Sequence, residues 1–448
     1  MLGIGGIGMS ALARYFNSLG KKVYGYDKTP SPLTEQLINE NIIVNYNDEI
    51  NEIKNAVGHI SNKNELLVIY TPAVPKNSKQ YNYFIENNYH LFKRAEILGK
   101  ITEGYYTIAV AGTHGKTTTS TIITHIVNQA GIKCNAFLGG ISINYNTNVI
   151  LNNQAQMIIV EADEYDKSFL KLYPDLCIVT SLDADHLDIY GSIETMKKTY
   201  HEFVSQIKNN GKLITKKSNN FNFKSILYYG DNNADYYAYD IRINNGKYIY
   251  NIHYPNGHIK DIVLGLPGIH NIENSLAACA IAHQLNISDE IIKSALESFN
   301  GVKRRFEKIL ENNNIIYIDD YAHHPAEIEA CINSLKNLYP AKKLTVIFQP
   351  HLYTRTRDFM KEFAHSLSLA DEIILLDIYP ARELPIEGIN SEELLKMIPH
   401  NRKKIYDKNE LIEKIDPAEI EVLLTMGAGD IDRLVEPLKT KLLNRVNA

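Results

Sequence analysis

Thr107-Ile-Ala-Val-Ala-Gly-Thr-His-Gly-Lys-Thr-Thr-Thr119 decides how this chain of 448 residues is read. A short apolar, β-prone run enters a glycine turn, and a lysine and threonines open a helix expected from Thr117 to about Gln129. Spacing places Ile122, Ile123, Ile126 and Val127 on one face of that helix, and Gly131 suits its C-terminal end. Strand, glycine turn and helix in that order form a phosphate-binding loop. The backbone N–H groups of Gly112, Thr113, His114, Gly115 and Lys116, together with the helix dipole, are expected to face an anion. Lys116 would neutralise the outer phosphates of a nucleotide, and Thr117, beside Thr118, would reach Mg²⁺. The plain alternative is an ordinary glycine turn ahead of a helix.

The loop departs from the general phosphate-loop pattern. Only two residues separate Gly112 from Gly115 instead of four, and Val110 stands where the first glycine would be. A Gly-Thr-His-Gly-Lys-Thr loop resembles that of the Mur ligase superfamily, the ATP-dependent amide-forming enzymes of peptidoglycan precursor synthesis. That resemblance implies ATP and Mg²⁺ as cofactors.

The hydrophobic fraction of 44% and charged fraction of 22% are those of a soluble protein with a proper core. The length suggests about three domains. A net charge of −5 gives no reason to expect nucleic acid. Cys134, Cys177, Cys279 and Cys331 form no Cys-x-x-Cys pair and read as small buried residues in a reducing compartment. No apolar run approaches the about 18 residues of a membrane span, and no basic-then-apolar leader is present, so a cytoplasmic protein without membrane insertion is expected.

Near the N-terminus, Gly3, Gly5, Gly6 and Gly8 precede a helix expected to bury Leu12, Tyr15, Phe16 and Leu19. Val23–Asp27 follows as a strand ending in an acid. This is a dinucleotide-type βαβ fingerprint, with Asp27 placed to meet a ribose hydroxyl. Almost nothing precedes Gly3 to form the first strand, and a start lying further upstream is expected. The glycines also fit the first-domain motif of the Mur ligases, in which this fold holds a UDP-sugar. The resemblance so implies substrate contacts at Gly5, Gly6, Ile7 and Gly8. Val68–Pro75 reads as another strand with its loop at the carboxyl end, where open α/β sheets bind ligands. Thr71 and Ala73 are its candidate substrate contacts. Arg94-Ala-Glu96 leads into the phosphate-loop strand.

Met157–Val160 and Leu176–Thr180 continue the α/β alternation. Between Tyr228 and Leu264, Asn245-Gly246 and Asn256-Gly257 signal hairpins, and a small antiparallel excursion rich in tyrosine is expected. Without basic charge, its aromatic residues suit cross-strand packing better than nucleic-acid stacking. A last α/β block has strands expected at Ile315–Ile318, Leu344–Phe348, Glu372–Leu376 and Val422–Thr425. The organisation is thus α/β in three domains. Residues 1–103 are expected to form a Rossmann-like domain, which the resemblance makes the UDP-sugar domain, and 104–300 a phosphate-loop ATPase-like domain with a small antiparallel sheet. Residues 301–448 are expected to form a Rossmann-like C-terminal domain, which the resemblance makes the amino-acid-binding domain.

Two acidic loops follow consecutive strands of the middle block. Glu161-Ala-Asp-Glu-Tyr-Asp166 offers a metal ligand, and Glu161 is the choice because it is the first carboxylate beyond the strand. Asp183-Ala-Asp-His-Leu-Asp188 carries His186, which by itself reads equally as a salt-bridged surface residue. The family's Glu-Ala-Asp-Glu and Asp-His-x-Asp motifs supply Mg²⁺ contacts, which the resemblance places on Glu161 and His186 beside Thr117. The lysine that many relatives carbamylate falls at or near Tyr200, so no carbamate is assigned. This absence suits the branch that adds the first amino acid.

His270 and Asn271, at the start of a long helix, read locally as caps. The resemblance makes them, with Asn274, contacts to adenine and ribose. Arg305 lies in a basic cluster, Lys303-Arg-Arg, and resembles the family arginine that reaches the ATP phosphates. Asp319-Asp-Tyr-Ala-His-His-Pro325 and Phe348-Gln-Pro-His-Leu-Tyr-Thr-Arg-Thr-Arg357 are too polar for core. Both sit at carboxyl ends of strands. Paired His323 and His324 would suit zinc, but no third ligand occurs at a suitable spacing. His351, Arg355 and Arg357 suit carboxylate or phosphate recognition.

These two segments resemble the family branch that joins L-alanine to UDP-N-acetylmuramate. The resemblance implies substrate contacts at Tyr321, His323, His351 and Arg355, with Lys116, His186, His323, His351 and Arg355 serving catalysis. Many members carry arginine at Leu352, and Arg355 or Arg382 are the candidates to replace it. A monomer or homodimer is expected. Competing classes are a sister ligase that attaches a preformed tripeptide, a nicotinamide-dependent oxidoreductase suggested by the first glycine motif, and a phosphate-loop switch or scaffold.

Overall fold

The computed structural model describes residues 1–60, 62–183, 187–312, 314–381 and 383–446. By internal contacts the chain divides into two compact units. The first comprises Met1–Tyr239, Ile252–Lys260 and Glu273–Ser298, and the second Asp240–Asn251, Asp261–Ile272 and Phe299–Ala448.

The first unit opens on a parallel arrangement whose central position is a single residue. The strands Tyr24–Tyr26 and Ile43–Asn45 form one pair, and Val68–Tyr70 and Leu91–Lys93 another. Leu2 bridges the two pairs, parallel to Tyr26 and Tyr70. Its N–H donates to Ile69 O (2.8 Å), and its carbonyl accepts from Thr71 N–H (3.2 Å). The resulting order is that of a dinucleotide-binding half with a very short first strand. The helix Ile7–Ser18 buries Ala13 against Ile4, Leu37 and Ile42, and Met9, Ala11 and Leu12 in the cluster that also holds Phe137 and Val149. Leu19, expected on that face, lies beyond the helix end and is exposed.

The phosphate-loop strand Tyr106–Ala111 is buried from Thr107 onward and lies between Met157–Glu161 and Leu176–Val179, both parallel to it. Beyond Met157–Glu161 come Cys134–Ser142 and Thr147–Ile150. Beyond Leu176–Val179 come Lys212–Thr215 and Ile226–Gly230. The register sets Val110 opposite Glu161 and Ala111 opposite Val179, so the loops after all three strands leave the sheet at one end. The helix Lys116–Gln129 begins one residue earlier than expected and is buried all round from Thr117 to Val127. It packs against the sheet and against Asp289–Ser298, which explains why one apolar face understates its burial. Its buried threonines donate to their own helix: Thr121 Oγ1 to Thr117 O and Thr124 Oγ1 to Ser120 O. Tyr200 belongs to the core, edge-on to Phe169 at 5.0 Å.

The hairpin strands Tyr236–Asn244, Lys247–Tyr254 and Gly257–Val263 continue the sheet, and the division into units runs along them. Asn245 (φ 48°) and Gly246 (φ 69°) supply the left-handed pair that a tight hairpin requires. Tyr237 stacks on His253 across the strands at 4.5 Å, the packing expected of this tyrosine-rich stretch.

In the second unit, the order is Glu307–Glu311, Ile316–Asp320, Val422–Met426, Leu344–Phe348, Glu372–Leu375 and Lys403–Ile405. All neighbours are parallel except the first pair. Four of these strands are the ones the sequence indicates. Glu307–Glu311 is not, because its half-exposed residues show no clean alternation.

Candidate active site

Three of the four glycines of the first loop, Gly3, Gly5 and Gly8, answer a close neighbour. Gly3 has φ 80°, and a side chain there would collide with Thr71. A Cβ at Gly5 would lie 2.8 Å from Asp27 Oδ2, which already accepts the Gly5 N–H at 2.8 Å. Asp27 thus ties down the loop, and its other oxygen receives Thr29 N–H at 3.3 Å. A Cβ at Gly8 would overlap the Arg94 guanidinium, 3.0 Å from its Cζ. Gly6 is uncrowded and starts the helix without a side-chain cap. Ile7 O accepts from Asn148 Nδ2 (2.6 Å). Thr71 turns the chain at the strand end, its Oγ1 accepting Ala73 N–H at 3.4 Å and its carbonyl Val74 N–H. The sequence reading missed Arg94, whose neighbours are remote along the chain.

In the phosphate loop, Gly112 (φ 128°) and Gly115 (φ 80°) occupy backbone that only glycine takes readily. The loop is anchored by the strand alongside. Thr113 N–H donates to Ser181 O, and His114 N–H to Ser181 Oγ (3.0 Å). These two amides, expected to face an anion, are therefore engaged by Ser181. His114 Nε2 stands 3.6 Å from Asp183. Thr117 and Thr118 are buried in the helix's first turn. Asn274 joins this site: Thr119 Oγ1 donates to Asn274 Oδ1 (3.2 Å), which also lies where a Gly115 Cβ would be.

Lys116 Nζ donates to Gly112 O (2.6 Å) and to Glu164 Oε1 (2.9 Å). Burial opposes its charge, but Glu164, Glu161 and Asp163 outweigh it and hold the lysine pKa above its ordinary value. Burial pushes Glu164 up despite the lysine. Glu164, the lysine's direct partner, is a residue the sequence does not single out. Glu161 lies against Gly139, whose missing side chain makes room for the carboxylate, and its Oε2 is buried without a hydrogen-bond partner. An orphaned carboxylate oxygen beside a phosphate loop fits a hard divalent cation. His186, the third expected metal contact, lies outside the described residues. Among those residues, no three His, Cys, Asp or Glu side chains converge as a metal site.

In the second unit, Asn271 is buried and its Nδ2 donates to Pro267 O (2.7 Å), while the His270 ring lies edge-on to Phe306 at 6.1 Å. Arg304 and Arg305 both sit over the Tyr321 ring, at 5.1 and 5.0 Å. Asp320 accepts N–H bonds from Phe306 and Ala322, both at 2.6 Å, and so aligns the segments carrying Arg305 and His323. Burial raises Asp319 to about 7 and Asp320 to about 6.

His323 and His351 meet edge to face at 6.1 Å, and Tyr379 stacks on His351. Arg355 Nη1 approaches His351 Nδ1 at 3.5 Å. His323 Nδ1 faces Tyr321 O at 2.9 Å. Burial lowers His323 to about 4, and burial with the neighbouring His323 and Arg355 lowers His351 to about 3. Both are neutral at pH 7, beside a cation. Two residues grouped with them make other contacts: Arg357 is exposed and paired with Asp358, and His324 packs on Phe359 at 4.8 Å. Arg382 lies outside the described residues.

A phosphate loop at the carboxyl end of a parallel sheet, with acids on the adjoining strand, defines an α/β nucleotide-binding enzyme. Sequence models of the Mur ligase family match nearly end to end: its catalytic domain over residues 1–106, middle domain over 110–282 and glutamate ligase domain over 304–429. UDP-N-acetylmuramate–L-alanine ligases of Porphyromonas gingivalis and Flavobacterium psychrophilum are 47% and 49% identical to it. Each alignment spans 98% of this chain, with 98% and 97% of the relatives' own lengths. A crystal structure of the UDP-N-acetylmuramate-alanine ligase from Thermotoga maritima is 26% identical, with TM-score 0.82, over 100% of this chain and 98% of that one. The chain belongs to the Mur ligase family, with its three-domain α/β architecture, and is an ATP-dependent ligase.

Proposed function

We propose that this protein joins the lactyl carboxylate of UDP-N-acetylmuramate to the amine of L-alanine, in peptidoglycan precursor synthesis. A carboxylate is a poor electrophile. ATP therefore first phosphorylates it to an acyl phosphate, and the neutral amine attacks the activated carbonyl and expels phosphate. Lys116 and Arg305 balance the phosphate charge, and Asn274, His270 and Asn271 serve the nucleoside. Thr117, Glu161 and His186 hold Mg²⁺, which supplies further charge neutralisation. His323 and His351, being neutral, orient the incoming amine without repelling it, Arg355 takes a carboxylate, and Tyr321 lines this site. Gly5, Gly6, Ile7, Gly8, Asp27, Thr71 and Ala73 hold the UDP-sugar. The domains divide at 103/104 and 300/301, and the protein works as a monomer or homodimer in the cytoplasm.

The observation that carries this reading is the unpartnered Glu161 oxygen beside Lys116 and the phosphate loop. The names of relatives 44–49% identical favour alanine over a preformed tripeptide as the acceptor. The test is phosphate release with UDP-N-acetylmuramate, with and without each amino acid or the tripeptide. Release dependent on alanine supports the reading, and release only with tripeptide overturns it.

A further inference from the structure

The tyrosine-rich hairpins carry a pair of imidazoles to which the functional reading above gives no task. The strands Lys247–Tyr254 and Gly257–Val263 are neighbours in the sheet, and only Pro255 and Asn256 join them. Counting back from that turn sets His253 directly across from His258, so the two side chains share one face of the ladder. Their ring centres are 4.9 Å apart, with planes inclined at 58°. Tyr237 and Tyr239, from the strand Tyr236–Asn244, complete the cluster. Tyr237 stacks on His253 at 4.5 Å, and the Tyr239 hydroxyl lies 3.2 Å from His258 Nδ1.

Ring packing accounts for the faces of these side chains but not for their nitrogens. His253 Nδ1 is buried and has no hydrogen-bond partner. A buried polar atom left unpaired lowers stability, and a phenylalanine would stack here without that cost. A ligand for the nitrogen removes the discrepancy.

Two imidazoles on one metal ion have a characteristic separation. With metal–nitrogen bonds of about 2.0–2.1 Å, ring centres about 1.2 Å behind each nitrogen and a bond angle of about 90–110°, the centres stand about 4.5–5.2 Å apart. The observed 4.9 Å falls inside that interval. Support for the ligands is also in place. Tyr239 engages His258 Nδ1, which orients the ring and leaves Nε2 for a metal. Tyr237 holds the His253 ring from its face. Imidazole donors suit zinc, copper or nickel, whereas Mg²⁺ takes oxygen.

We propose that His253 and His258 form a binding site for one divalent transition-metal ion of the zinc class, which clips the two strands of this hairpin together. Two protein ligands are fewer than the three or four of catalytic and structural zinc sites, so water completes the coordination and the ion is exchangeable. The site differs in donor chemistry from Thr117 and Glu161, and it does not depend on the ligase reading.

Isothermal titration of the full chain with zinc chloride, in excess Mg²⁺ to fill oxygen-donor sites, tests this. One zinc ion per chain is expected to bind at this site. His258 is exposed, so His258→Gln leaves the fold undisturbed and should weaken that binding at least tenfold. His253→Gln should do the same, and where it fails to fold His258→Gln decides alone. Tyr239→Phe removes only the hydroxyl and should weaken zinc about tenfold, the usual effect of losing a partner behind a metal ligand. His90→Gln, at an exposed histidine outside the cluster, should bind zinc as the parent does. Zinc should also raise the melting temperature of the parent and not that of His258→Gln. A parent protein that binds no zinc, or a His258→Gln variant that binds it equally tightly, overturns the proposal.

Discussion

Lys116 and Glu164 form a buried ion pair, Nζ to Oε1 2.9 Å, with 13% and 2% of their side chains exposed. The lysine that should meet a nucleotide's outer phosphates is thus held by a protein carboxylate, with Gly112 O as a second acceptor. Incoming phosphates offer the same charge and would take over from Glu164.

Removing one partner of such a pair leaves a buried charge uncompensated, at a cost of about 3–5 kcal/mol. Glu164→Gln should therefore lower the melting temperature of the nucleotide-free protein. Because ATP supplies the missing negative charge, it should raise the variant's melting temperature more than it raises the parent's. Differential scanning calorimetry with and without ATP measures this, and equal shifts would refute the exchange. Lys116→Ala should abolish phosphate release altogether, and full retained turnover would end its assigned role.

Gly139 offers a cleaner probe of the proposed metal site than mutating Glu161 itself. Its φ is not in the left-handed region, so alanine brings no backbone strain, yet the new methyl would occupy the space of the Glu161 carboxylate. The flexible carboxylate must move. Gly139→Ala should raise the Mg²⁺ concentration for half-maximal activity several-fold, with the fold intact by circular dichroism. An unchanged Mg²⁺ requirement would remove Glu161 from the metal site.

The pair His323 and His351 makes a prediction about pH. Their folded pKa values, about 4 and about 3, lie below the ordinary 6.5 of histidine. The unfolded chain takes up protons that the folded chain refuses, so their contribution is complete above about pH 6.5 and is lost as pH falls toward 4. Each fully titrating group loses about 1.4 kcal/mol per pH unit across that window. Asp319 and Asp320 are raised and act oppositely over part of the same range, their contribution being lost as pH rises. Replacing both histidines with glutamine should make stability to urea fall less between pH 6.5 and 4.5 than in the parent. An identical slope would mean the imidazoles titrate normally.

How far the sequence is legible follows from where each signal resides. The phosphate loop could be read because strand, glycines, lysine and helix are contiguous. The pairing of Lys116 with Glu164 could not, because Asp166 and Lys167 both adopt left-handed backbone, φ 53° and 54°, in the turn just beyond Glu164. Neither is glycine, so nothing in the sequence announces the turn. Arg94 went unread because its ion-pair partner is 69 residues away. Arg357 was grouped with Arg355 by motif, yet two residues along a helix point to different sides, and it turns to solvent. Asp320 sits in a segment too polar for core, yet it is buried as a strut for two backbone segments, a role that only the fold reveals.

Leu352 has φ 73° and ψ 135°, in a region that L-residues avoid. It caps the helix Tyr353–Asp358, its N–H donating to Tyr379 O (3.0 Å) and its carbonyl accepting from Thr356 N–H (3.1 Å). These bonds hold the backbone while Glu383 receives the Thr354 N–H at 3.0 Å. The turn sets His351 against Tyr379 and Arg355, so the strain is located at the proposed amino-acid site. Leu352→Ala and Leu352→Gly both remove the side chain, but only glycine relieves the dihedral. The glycine variant should therefore be more stable than the alanine variant by about 1 kcal/mol after allowing for glycine's extra unfolded-state entropy. Equilibrium denaturation of the two variants decides it. An alanine variant as stable as the glycine variant would show that the left-handed backbone costs nothing here, and the strain argument at this site would have to be given up.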